Sequence, residues 1–229
     1  MTPDNWALIL HVGFGAVALL AGLGAMVTAK GGRVHRRCGQ VFFWSMVVVA
    51  VAAAKLSYDI HSLFLFLDTI FTFYLALSGY RALSRKDPLR GQRANWLDWS
   101  AATVLLAVGF GLIGVGIATR REGLLGFPTV CVGYGLCGIL FAAHDLREFA
   151  RPPTGQYHWW FSHMARMLGA YLAAITAVSV VNLPIESIPV RWFGPILVGA
   201  PGIVLWMSYY RRSFRRERGK GRRTSCATC

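Results

Sequence analysis

Seven runs of mostly apolar residues, separated by short polar connections, occupy nearly the whole chain. A hydrocarbon core about 30 Å thick takes roughly 20 residues of α-helix to cross. The predicted spans are Trp6–Ala29, Gly39–Ser57, Ser62–Leu83, Trp96–Ala118, Gly123–Ala143, Trp159–Val181 and Trp192–Tyr210. The connections leave no room for a separate water-soluble domain. The expected fold is therefore all-α: a polytopic transmembrane bundle over residues 1–210, then a basic tail over 211–229 that is expected to be disordered.

Composition agrees. The chain of 229 residues is 55% hydrophobic and 15% charged, against about 25% charged in soluble domains. A net charge of +14 would suggest nucleic acid for a soluble protein. Its distribution argues otherwise. Lysines and arginines crowd the first connection (Lys30 to Arg37), the third (Arg81 to Arg93), the fifth (Arg147 and Arg151) and the tail from Arg211. Lys55, Arg120, Arg121 and Arg191 fall on the other side. By the positive-inside rule the amino terminus is expected outside and the carboxyl terminus in the cytoplasm. The tail is expected to lie on anionic lipid headgroups, with no nucleic-acid partner.

Met1–Asn5 lacks the basic segment and cleavage site of a signal peptide, so the first span is read as a retained helix. Trp6, Tyr58 and Trp192 are expected at the outer interface. Trp96, Trp99, Trp159, Trp160, Tyr209 and Tyr210 are expected at the inner one. Five cysteines give no disulfide framework and are expected to be thiols. The end Cys226-Ala-Thr-Cys229 has the shape of a prenylation signal but an unusual last residue.

Gly109-Phe-Gly-Leu-Ile-Gly114 and Gly133-Tyr-Gly-Leu-Cys-Gly138 match the dinucleotide fingerprint in letters only. A true fingerprint joins a strand to a helix, whereas both matches lie inside apolar spans. They are expected to let helices pack closely. Val132-Gly-Tyr-Gly135 likewise matches a potassium filter, but a filter needs a re-entrant loop.

Ionisable residues at membrane depth are costly and mark candidate function. They form two layers. The outer one holds His11, Lys55, Asp59, His61 and Asp68. Packed for structure alone, Lys55 pairs with Asp59 or Asp68, and His11 bonds a backbone carbonyl. The inner layer holds His35, Asp98, His144, His158, His163 and Arg166, with Asp98 and Arg166 a candidate pair. His11 and His35 are a whole span apart, on the order of 30 Å, so a shared site must draw on one layer.

Four classes of function fit. The first is a haem-b redox protein, with His11 and His61 as the outer axial pair and His35 and His163 among the inner ligands. The second is a zinc-dependent intramembrane hydrolase built on His35, His144, His163 and Asp98. The third is a proton-coupled carrier using Asp68 and His11. The fourth is an assembly protein without chemistry of its own.

The pattern His11, Gly15, Gly22, then His35-Arg-Arg-Cys-Gly39, resembles a bacterial family of predicted membrane proteins of unknown function. Ser78-Gly-Tyr-Arg-Ala-Leu83 and His163-Met-Ala-Arg-Met167 with Tyr171 and Thr176 follow it. The resemblance implies a bacterial cytoplasmic-membrane location and singles out His11, His35 and His163. The layout is similar to two-haem membrane cytochromes, at the level of fold analogy.

Overall fold

A computed structural model describes residues 5–120 and 126–226, without the side chains of Leu89 and 217–226. It is all-α. The helices are α1 (Trp6–Val27), α2 (Arg33–Asp59), α3 (Leu63–Arg81), α4 (Trp96–Ala118), α5 (Phe127–Ala150), α6 (His158–Asn182) and α7 (Ile188–Cys226). Among the described residues, seven helices are long and apolar enough to cross a membrane.

Local chemistry sets several boundaries. Asn95 accepts from the Asp98 amide while Asp98 accepts from the Asn95 amide, a reciprocal cap that starts α4 at Trp96. Pro128 stands in the first turn of α5, where its missing N–H costs nothing. Gly31, with φ of 77°, makes the turn between α1 and α2 that a side chain would strain.

The helices outrun the hydropathic spans where the ends are polar. α2 begins at Arg33, six residues before the predicted span, and so carries His35, Arg36 and Arg37 as helix. α5 runs to Ala150. α7 continues past Tyr210 to Cys226, where an irregular tail was expected. Phe214 supplies a reason: it packs on Tyr157, Trp160 and Phe161, and Arg211 lies over Phe161. Residues 227–229, Arg121 and the side chains of Cys226 and of Arg218 to Arg223 lie outside what is described.

α3 is the hub, with α2, α4, α5 and α6 packed on it; α1 pairs with α2, α4 with α5, and α7 lies on α6 and α5. The core comprises Phe42, Phe43 and Met46 of α2, Phe64, Phe71 and Leu75 of α3, Leu105 and Leu112 of α4, and Val130 and Tyr134 of α5. Trp192, expected at the outer interface, packs edge-on against Phe64 and Tyr134. Outside, the helices present large apolar side chains: Leu20 is 72% exposed, Leu140 69% and Val198 81%.

The two fingerprint-like segments cross each other. A Cβ on Gly109 would come 2.8 Å from the Gly135 carbonyl oxygen, and one on Gly135 would come 2.6 Å from that of Gly109. The glycines bring α4 and α5 into backbone contact, as expected of small residues between membrane helices. Val132–Gly135 is ordinary helix within α5, not a filter loop.

Candidate functional site

Arg166 of α6 donates to Asp145 Oδ1 of α5 at 2.5 Å, and the Tyr74 hydroxyl of α3 donates to Oδ2. Asp145 and Arg166 are 5% and 8% exposed. The guanidinium lies 4.4 Å from the centre of the Phe141 ring, and its Nη1 has no hydrogen-bond partner among the described residues. Three helices thus meet at one buried ionic cluster. Its existence is the reason a charge can stand there at all, since an unpaired ion in an apolar interior is prohibitively costly.

A polar path leads from it toward the end of the bundle where α5 stops and α6 begins. His144 Nδ1 is 3.4 Å from Asp145 Oδ1 and its Nε2 is 3.3 Å from Glu148 Oε1. His158 Nε2 is 2.9 Å from Glu148 Oε2 and 3.1 Å from Ser162 Oγ. Glu148, His158 and Ser162 line a small open cleft of about 40 Å³, walled also by Arg85, Arg93 and Trp159.

Asp98 belongs to a second cluster. It accepts from Arg81 at 3.1 and 2.8 Å and from Arg85 at 2.5 Å. Its expected partner, Arg166, is committed to Asp145 instead. Hydropathy could not decide this, because it does not say which helices are neighbours.

At the end of α2, Lys55 binds Asp59 at 2.5 Å, one of the two partners expected for it. That leaves Asp68. The residue is half-buried, but its Oδ1 is wholly shielded and has no hydrogen-bond partner among the described residues. Tyr134, on α5, is close enough to feel its charge.

Three imidazoles share one arrangement. His11 Nδ1 is 3.4 Å from the Val49 carbonyl oxygen, His35 Nδ1 is 2.9 Å from that of Ala25, and His163 Nδ1 is 2.8 Å from that of Gly79. A carbonyl only accepts, so Nδ1 carries the proton in each bond, and in the neutral ring Nε2 is then the nitrogen with the lone pair. These are the three histidines that the resemblance singles out. His35 lies within electrostatic reach of His163, although the backbones of α2 and α6 do not pack on each other among the described residues. The outer pair is far apart. His61 is exposed in the turn after α2, bonded to Asp59 O. His11 meets α2 at Val49, ten residues before its end at Asp59, which is about 15 Å of helix.

The four zinc ligands expected from the sequence also stay apart. Among the described residues, three metal-capable groups converge within 4.8 Å only at His144, Asp145 and Glu148. Of these, only His144 belongs to the expected set. Glu148 and Tyr74 were missed. The spacing of His144 and Glu148, four apart on one helix, was the available signal for the first; Tyr74 gave none.

On the connection between α1 and α2, Lys30 donates to the Ala25 and Met26 carbonyls and sits over Trp206. Burial pulls its pKa below the ordinary lysine value despite those two acceptors.

No protein-family model, curated protein or solved structure matches the chain.

Proposed function

We propose that this is a multi-pass membrane protein acting as a proton-linked carrier of a small solute. The carrying observation is the series of polar contacts running from the buried Tyr74–Asp145–Arg166 cluster through His144, Glu148 and His158 to an open cleft, in which the carboxylates and imidazoles can exchange protons while Arg166 stays charged. Asp68 stands apart from the series, six residues or about 9 Å along α3 from Tyr74 and on another face of that helix. A carboxyl at membrane depth with no cation or donor to hold its charge is the kind of group that binds and releases a proton as its surroundings change. The exposed apolar belt supports lipid as the surrounding solvent. The clustering of arginine and lysine supports an outer amino terminus and a cytoplasmic carboxyl terminus. The likeness to predicted bacterial membrane proteins goes the same way.

The test uses purified protein in vesicles loaded with a small-molecule cell extract and given an acid pulse. Protein-dependent proton entry that Asp68→Asn abolishes is expected. Vesicles with protein that behave like empty ones would overturn the proposal. A reporter fused at the carboxyl end and found outside the cytoplasm would overturn the orientation.

Haem b is the second reading, favoured by the shared bonding of the imidazoles. An axial histidine normally gives its other ring N–H to a carbonyl or carboxylate, and His35 and His163 do so. Their Nε2 lone pairs fit the axial role. Bound there, the iron would carry one electron at a time, while Ala25 and Gly79 hold the rings in orientation. The visible spectrum of protein expressed with ample haem decides it. An absorbing preparation that sharpens on reduction and is lost in His163→Ala is expected; a colourless one ends this reading.

A further inference from the structure

We infer that Asp68 and the aromatic rings packed around its stretch of α3 form a binding site for a small organic ammonium ion. As the identity of the carried solute this rests on the carrier reading above; as a binding site it stands on its own geometry.

Spacing along α3 builds the site. Asp68 is four residues after Phe64 and three before Phe71, so all three share one face of the helix. Phe64 and Phe71 are 4% and 6% exposed, which turns that face into the bundle. Trp192 of α7 stands edge-on to Phe64, with ring centres 5.1 Å apart, and to Tyr134 of α5 at 5.6 Å. Tyr134 in turn meets Phe71 at 5.7 Å. Four rings from three helices thus form an arc that leaves α3 one turn before Asp68 and rejoins it one turn after. Tyr134, within the arc, feels charge on Asp68.

The arc lacks a cation. Elsewhere Trp206, Phe149, Trp159, Phe141 and Phe161 each have a lysine or arginine over the ring. Among the described residues none of these four rings has one, and Asp68 Oδ1 is shielded with no hydrogen-bond partner. The basic side chains at this end of the bundle are engaged, Lys55 by Asp59 and Arg191 by the Ile185 carbonyl. On α5 the titratable neighbours are Tyr134 and Cys137, and neither can carry positive charge.

These groups select the class of ligand. Aromatic rings attract a cation over their faces, most strongly away from water, and the carboxylate supplies the full opposite charge. Calcium and magnesium require about six oxygen ligands, far more than one carboxylate offers. An alkylated ammonium ion needs only rings and one counter-ion, as in aromatic cages for quaternary ammonium groups. Asp68 is only half-buried, so its carboxyl can be reached from the surface of the bundle. A proton and an ammonium ion then compete for the same carboxyl, and binding one releases the other.

The experiment is equilibrium binding of benzyltrimethylammonium and choline to the full chain in detergent. Each is compared with the neutral isostere in which carbon replaces nitrogen. Neither cation titrates, so any dependence on pH belongs to the protein. At least one cation should bind about tenfold or more tighter than its isostere, and should weaken as the pH is lowered. Asp68→Asn should weaken it by more than about 30-fold, as loss of a buried charge partner does. Trp192→Leu should weaken it about tenfold, and Trp192→Phe, which keeps a ring, much less. If a variant fails to fold, the isostere comparison and the pH dependence of the unsubstituted protein carry the test. No binding of either cation, equal binding of the isosteres, or unchanged binding in folded Asp68→Asn would each overturn the site. Proton entry that depends on Asp68 without ammonium binding would overturn this site and leave the carrier reading standing; ammonium binding without proton entry would do the reverse.

Discussion

Asp145 and Arg166 form a buried ion pair between α5 and α6, with side chains 7% and 9% exposed. Removing one member leaves the other as an uncompensated charge, which costs about 3–5 kcal/mol. Asp145→Asn and Arg166→Met are each expected to destabilise the fold by that order. The double variant should be less damaged than the sum of the two, because no charge is stranded. Unfolding in mixed micelles measures all three. Single losses under about 1 kcal/mol would mean that water or lipid headgroups already reach the pair.

The backbone contact of Gly109 with Gly135 makes a paired prediction. A methyl on Gly109 would meet Ile139 and the Gly135 carbonyl, whereas one on Gly114 meets nothing within 4 Å. Gly109→Ala should therefore destabilise by about 1–3 kcal/mol through overpacking. Gly114→Ala should be neutral or slightly stabilising, through its higher helix propensity. Thermal unfolding of the two variants side by side checks this. Equal effects would show that α4 and α5 do not approach through this face.

The spans were legible because lipid demands long apolar runs, and α4 was read to the residue: tryptophan at its start and the Asn95–Asp98 cap coincide there. Other ends were not. Charged residues such as Arg33 to Arg37 are acceptable helix formers, so helix and hydropathy part company at the interface. For the site, the local pair Lys55–Asp59 and the carbonyl bond of His11 were among the expected options. Asp98 with Arg81 and Arg85, and Asp145 with Arg166, depend on which helices are neighbours. Spacing along one chain carries no such information. The depth argument did separate the histidine layers, but the outer pair failed because α2 extends about 15 Å beyond the level at which His11 meets it.

Lys30 gives a pH dependence. Its folded pKa lies below its ordinary value of 10.5 because of burial. Between the folded value and 10.5 the unfolded chain binds more protons than the folded one, so stability rises with pH through that window. Below the folded value the burial penalty on the charged form is constant. Lys30→Gln should flatten the rise without moving the neutral-pH baseline by more than about 1 kcal/mol, since the residue is only partly buried and solvent screens its charge. Unfolding measured on both proteins as pH is raised toward 10.5 gives the comparison. An unchanged slope would assign the dependence to another group.

Asp68 sets function against stability. Its shielded Oδ1 lacks a partner, and an unsatisfied buried polar atom costs about 1–3 kcal/mol. Asp68→Leu replaces it with an apolar group in a mostly apolar helix, so stability should rise by up to that amount. A carrier that uses the carboxyl should at the same time lose proton-linked uptake, as in Asp68→Asn. Sites kept for activity at the expense of stability behave in this way. Micelle unfolding and vesicle flux on the same preparation separate the outcomes. A more stable, inactive variant identifies Asp68 as a proton site. A destabilised variant would show that the carboxyl holds a structural partner and that its isolation on α3 is not the source of activity.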